Sequence, residues 1–148
     1  MNIRRATISD AHDIIDFNIA MALETEGKVL KRTEIESGVH GLFNHSEYGF
    51  YMVAEFEGQI IGSLMITYEW SDWRNGVFWW IQSVYVRPEF RRKGVYRSMY
   101  LVIKELASSE SAVCGFRLYV ERDNAIAQRT YTKLGMSETH YKLFEEIK

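Results

Sequence analysis

Cysteine, proline and long apolar runs are scarce in this 148-residue sequence, which has one Cys (Cys114) and one Pro (Pro88). A lone cysteine excludes an internal disulfide and gives no sign of an oxidising compartment. His12, His40, His45 and His140 show no metal-ligand spacing, so no metal site is expected. No stretch of about 18 apolar residues occurs, which excludes a spanning helix and argues against a membrane partner. Met1-Asn2-Ile3-Arg4-Arg5 is followed by no apolar signal core, and a cytoplasmic location is expected for want of another address. The net charge of -2 offers no broad basic face for nucleic acid. There is no repeat, low-complexity tract or linker, so residues 1–148 read as a single domain.

What is present is ordinary globular material, 47% hydrophobic and 26% charged, with an aromatic content of 14% that includes four Trp and nine Tyr. The periodicity predicts a strand over Ile3 to Ala6, then a helix from Ala11 with cap residues in Thr7-Ile8-Ser9-Asp10 and a stop at Gly27. A second helix is expected over Thr33 to Phe43. Strands follow over Phe50 to Phe56 and Ile60 to Trp70, with Gly62 as a candidate bulge. Asn75-Gly76 marks a hairpin into a strand over Val77 to Val86. A helix over Val95 to Ala107, a strand over Phe116 to Val120 and a helix over Ala125 to Leu134 come next. Gly135 stops that helix, and Tyr141 to Glu145 reads as a last short strand. The order is β-α-α-β-β-β-α-β-α-β. The middle strands form antiparallel hairpins, and Val77 to Val120 forms a parallel crossover.

Charge is unevenly placed. Arg87, Arg91, Arg92, Lys93 and Arg97 fall within one strand-loop-helix passage, opposed there only by Glu89. The first turn of a helix carries unpaired N–H groups and partial positive charge, and Gly94 lets backbone approach a ligand. Together they suit a pyrophosphate cradle. The other reading is a solvated basic loop before an ordinary helix.

Arg91-Arg92-Lys93-Gly94-Val95-Tyr96 resembles the acetyl-CoA pyrophosphate loop of the GCN5-related N-acetyltransferases (GNATs), whose pattern is Gln/Arg-x-x-Gly-x-Gly/Ala. Val84-Tyr85-Val86-Arg87-Pro88 resembles that family's fourth strand and the turn after it. Tyr96 departs from the pattern, which has Gly or Ala there. A helical residue needs no positive φ, so a Tyr fits if its ring turns away from the phosphates.

A second block, Phe116 through Met136, is similar to the family's strand, Asn, helix and Leu-Gly-Met ending. Asn124 and Tyr131 stand seven residues apart, two helical turns, and so share a face. The resemblance implies that Asn124 holds the pantetheine arm and that Tyr131 protonates the departing sulfur. Read without it, Asn124 is a helix cap and Tyr131 a core aromatic with a satisfied hydroxyl. The likeness covers nearly the whole chain. Ile3-Arg4-Arg5-Ala6-Thr7 with Asp10 looks like the family's first strand and helix cap, and the tail after Gly135 is short enough to reduce the last two strands.

The resemblance implies an α/β (α+β) GNAT fold: a mixed, mostly antiparallel sheet, a splayed parallel pair of fourth and fifth strands, and flanking helices. It implies direct transfer of an acetyl group from acetyl-CoA to a primary amine. The cosubstrate would lie on Val84, Tyr85, Val86, Arg91, Arg92, Lys93, Gly94, Val95, Tyr96, Arg97 and Asn124. Backbone groups of Val84 to Val86 would polarise the thioester carbonyl. Family members often carry a basic Glu on the fourth strand. Here that strand has Gln82, which cannot be a base but can orient a water, and Glu69 is the substitute. Tyr68 to Arg74 with Trp79-Trp80 more loosely resembles the diamine acetyltransferase branch, and acidic groups among aromatics suit a cationic amine. Strand aromatics also serve as packing. Two other functions stay open, a non-catalytic acyl-CoA-binding sensor and an acetyltransferase of protein lysines or N-termini. A homodimer is a further expectation.

Overall fold

A computed structural model describes residues 1–148. It has five strands and four helices: β1 (Asn2–Arg5), α1 (Ala11–Glu26), α2 (Arg32–Asn44), β2 (Gly49–Phe56), β3 (Gln59–Ser71), β4 (Gly76–Val86), α3 (Val95–Ser108), β5 (Val113–Leu118) and α4 (Ala125–Lys133). They form one sheet in the order β1-β2-β3-β4-β5, antiparallel throughout except for the parallel β4–β5 pair. The long β3 and β4 share the most extensive ladder, from Gly62–Val86 to Ser71–Gly76.

Alternation along the strands divides the apolar residues between two faces. Met52, Ala54, Leu64, Ile66, Trp79 and Ile81 face α3, whose Val95, Met99, Tyr100 and Ile103 complete one core. Tyr51, Val53, Ile60 and Tyr85 face α1 and α2, meeting Ile14, Ile15, Phe17, Val39 and Leu42 in a second. Helix α1 ends where Gly27 takes a left-handed φ of 60°. At its start the Asp10 carboxylate accepts from the Thr7 N–H (2.8 Å) and the Arg4 guanidinium (2.7 Å), joining β1 to α1.

Two strand irregularities matter for the site. On β3 the register against β2 slips at Ile61, next to the expected Gly62. Gly62 is required for another reason: a Cβ there would lie 2.9 Å from the Tyr85 carbonyl oxygen. On β4 the register against β3 slips between Gln82 and Tyr85, and Ser83 is left at φ 52°. That is a bulge in the fourth strand.

The expected last strand over Tyr141 to Glu145 does not form. From residue 137 onward the chain has no regular structure, and Tyr141, Leu143, Phe144 and Ile147 are exposed. β5 is therefore the edge of the sheet, and the observed order ends on α4. The fifth strand also lies earlier than expected, at Val113–Leu118. Tyr119 and Val120 continue the apolar alternation but have no partner strand to hold them.

Candidate functional site

The site is built where β4 and β5 part. Their ladder runs from Val77–Val113 to Ile81–Leu118 and then stops. Beyond the Ser83 bulge, β4 stays paired with β3 alone. The Arg87 N–H donates to the Ile61 carbonyl at 2.8 Å. By antiparallel alternation, the N–H and C=O of Val86, opposite Gly62, point away from β3 into the gap. Two of the chain's four non-glycine residues with positive φ, Ser83 (52°) and Arg92 (63°), bracket this passage. Local backbone strain of that kind persists where the surroundings enforce it, commonly at functional sites.

At the far end of the gap the chain turns through Pro88–Phe90 and Arg91–Gly94 into α3. Gly94 caps the helix at φ 78° with no side-chain cap. No backbone or side-chain acceptor receives the N–H of Arg92, Lys93, Gly94, Val95, Tyr96 or Arg97. Six consecutive free donors at the positive end of a 14-residue helix have the hydrogen-bonding capacity to cradle an anion. A Cβ at Gly94 would meet nothing within 4 Å, so the space over the donors is open.

The cations of the passage fall into two groups, a division the sequence did not reveal. Arg87 donates to the Ile60 carbonyl (2.8 Å), contacts Asp13 at 3.4 Å and lies over the Phe17 ring. Arg91 donates to the Val86 carbonyl (2.8 Å) and pairs with Glu24 of α1 (2.8 Å). Both therefore tie the loop to α1. Arg92, Lys93 and Arg97 form no ion pair, Lys93 lying only over the Phe90 ring at 5.5 Å. They are the cations left for a ligand.

Asn124 is the N-cap of α4, its Oδ1 accepting the Ala127 N–H at 3.1 Å. This is the cap reading of the residue, with its amide N–H groups uncommitted. Tyr131 lies on the same helix and reaches the α3 seam, where its ring meets Tyr96 edge to face at 5.6 Å. Its hydroxyl has no partner in the protein, yet is not sealed from solvent as that of Tyr96 is. Burial pushes the Tyr131 phenol above its ordinary pKa, so it keeps its proton at neutral pH. The Tyr96 ring turns into the seam between Tyr131 and Tyr100.

The two base candidates are engaged elsewhere. Glu69 Oε1 accepts from Arg117 (2.6 Å) and from Trp80 Nε1 (3.2 Å). Gln82 Nε2 donates to Thr67 Oγ1 at 2.6 Å across the β3–β4 pair, which leaves its carbonyl oxygen to accept. The expected acceptor cluster also divides. Tyr68 and Trp79 pack with Phe50 on the α3 side, and Trp79 also with Phe116. Glu69, Trp80 and Gln82 lie on the α1 side, where Trp80 meets Tyr119 at 4.5 Å and Arg117 lies 3.7 Å over Phe78. Alternating side chains of one strand cannot line one pocket. Sequence reading missed Arg117, Tyr119, Thr67 and Glu24. The only signal for the first two is the every-second-residue spacing of Gly115, Arg117 and Tyr119. No His, Cys, Asp and Glu side chains gather as a metal site. No helix is long and apolar enough to cross a membrane.

Comparison with known proteins agrees with this fold. The model of the acetyltransferase (GNAT) family matches residues 17–136. The crystal structure of a possible acetyltransferase from Clostridium difficile 630 is 42% identical, covering 99% of this chain and 96% of its own, with a TM-score of 0.92. At fold level alone, a predicted acetyltransferase with acetyl-CoA from Clostridium acetobutylicum is similar at 18% identity, over 98% of this chain and 95% of that one, with a TM-score of 0.78. So is an aminoglycoside 6'-N-acetyltransferase from Acinetobacter haemolyticus at 20% identity, over 100% and 99%, with a TM-score of 0.76. No curated protein matches the chain.

Proposed function

The chain belongs to the GNAT acetyltransferase family, and from that premise we propose that it uses acetyl-CoA to acetylate the primary amine of a small molecule. The observation that carries the cosubstrate is the row of six unpaired N–H groups at residues 92–97, flanked by the unpaired Arg92, Lys93 and Arg97. A diphosphate matches that donor set in charge and in hydrogen-bonding capacity. The gap between β4 and β5 then receives the pantetheine arm. The inward N–H and C=O of Val86 offer it strand-like hydrogen bonds, provided Arg91 yields the carbonyl.

In the reaction the amine nitrogen bonds to the acyl carbon, the carbon–sulfur bond breaks, and the thiolate departs. Backbone N–H groups beside the Ser83 bulge would stabilise the charge building on the thioester oxygen. Tyr131, neutral and unpartnered, would hold its hydroxyl hydrogen toward the sulfur. The amine's proton would leave through water held by the free carbonyl of Gln82, since Glu69 is taken up by Arg117 and Trp80. That engagement also weakens the case for a strongly cationic acceptor, because the nearest carboxylate already faces a guanidinium.

The test is thiol release from acetyl-CoA against polyamines, amino acids, aminoglycosides and peptides. Turnover with a small amine supports the proposal. Turnover with peptides alone would make this a protein acetyltransferase. Tight coenzyme A binding without turnover on any acceptor would make it a sensor.

A further inference from the structure

The Tyr96 hydroxyl is the one buried side-chain polar atom without a hydrogen-bond partner. Such an atom has given up its water for nothing inside the fold, and native proteins rarely leave one so. Tyr96 also stands where the resembling loop pattern has Gly or Ala, so it is an addition rather than a standard part of that loop. Its backbone N–H belongs to the unpaired row at 92–97, while its ring touches Tyr131 at 5.6 Å. It thus joins the anion site to the candidate proton donor in a single residue. The helix that covers it is lightly held, since α4 contains no buried residue.

We propose that the Tyr96 hydroxyl is a binding group for the pantetheine arm, donating to an amide carbonyl of that arm when α4 yields along the α3 seam. This rests on the acetyl-CoA reading above. The arm must run from a diphosphate on residues 92–97 to a sulfur near Tyr131, and Tyr96 lies between the two. Burial and the neighbouring phenols Tyr131 and Tyr100 push the Tyr96 pKa upward, so the group stays a neutral donor. An amide carbonyl is the matching acceptor.

Tyr96→Phe tests this, because it keeps the ring and removes only the oxygen. Wild type and variant are titrated calorimetrically with coenzyme A and with 3'-phosphoadenosine 5'-diphosphate, which lacks the arm, and both proteins are melted without ligand. The variant should bind coenzyme A about 3- to 10-fold more weakly and the arm-less nucleotide equally well. Its melting temperature should hold or rise by about 3 °C, since an unsatisfied group has been removed. Equal coenzyme A affinity in the two proteins would overturn the proposal. So would parallel weakening of both ligands, or a lower melting temperature, which would reveal a structural partner for the hydroxyl. A wild type that binds neither ligand would defeat the acetyl-CoA reading itself, and this proposal with it.

Discussion

Replacing Tyr131 by Phe separates chemistry from packing. The Tyr131 hydroxyl bonds to nothing in the protein, so its removal costs no hydrogen bond, and the edge-to-face contact with Tyr96 at 5.6 Å survives in Phe. Stability should therefore be unchanged. The catalytic cost follows from relative acidities. A free thiol has a pKa near 8.5, and the Tyr131 phenol is held above its ordinary value of about 10 by burial. Full proton transfer to the thiolate is then unfavourable, because burial makes the phenol the weaker acid of the two. Tyr131 is better placed to donate a hydrogen bond to the charge forming on sulfur. A hydrogen bond to a charged group is worth about 1.5–3 kcal/mol, which converts to a loss in kcat of about 10- to 150-fold. Acetyl-CoA binding should be nearly unchanged. Because the phenol's pKa is raised, the wild-type alkaline limb attributable to it lies above about pH 10, and Tyr131→Phe should abolish that limb. Stopped-flow thiol release, a pH–rate profile and a thermal melt measure all three. A fall in melting temperature with kcat intact would make Tyr131 a packing residue.

Charge reversal at Arg92 or Lys93, both free of ion pairs, should weaken coenzyme A binding and flatten its salt dependence, as read by calorimetry at two ionic strengths; unchanged affinity would remove the loop from the site. Gly94→Val should fill the open space over the N–H row and raise the same dissociation constant, and it should also lower the melting temperature, because Gly94 holds φ 78°, which a β-branched residue adopts only under strain. Arg4 holds the Asp10 carboxyl below its ordinary pKa. Its contribution to stability is therefore complete above about pH 4 and is lost as pH falls through the lowered folded value. Asp10→Asn should lower stability by about 2 kcal/mol at neutral pH and flatten the acid limb of melting temperature against pH. The open β5 edge and the exposed Tyr141, Leu143, Phe144 and Ile147 offer surface for the homodimer expected from the sequence. Light scattering showing a monomer at every concentration would exclude it.

Local rules carried much of the site. A Gly at the head of an apolar-periodic helix predicts unpaired N–H groups wherever that helix docks, and the cradle at residues 92–97 is of this kind. Asn124 and Tyr131 share a helix face because their spacing is a whole number of turns. Asn75-Gly76 predicts its hairpin because the turn needs positive φ, and Asn75 has φ 47°. The Leu64 and Ile66 alternation fixes which side of β3 meets α3.

What the sequence by itself determined, then, was the elements and their order as far as α4, and the residue types gathered at the cradle, since these follow from contacts a few residues apart; the last strand expected over Tyr141 to Glu145 did not form. Only the tertiary structure decided how each charge is used. Arg91 and Arg92 are adjacent in sequence and equal in chemistry, yet Arg91 is tied to Glu24, 67 positions away, and Arg92 is not. Glu69 reads as a candidate base until Arg117 arrives on the same face from 48 positions on. Tyr68 and Glu69 read as one pocket until the pleat sends them to opposite sides. The unpartnered Tyr96 hydroxyl belongs with these, because the absence of a partner is a property of everything packed around a group. Periodicity encodes which residues turn inward. Which partners they find there depends on long-range packing, which no local pattern records.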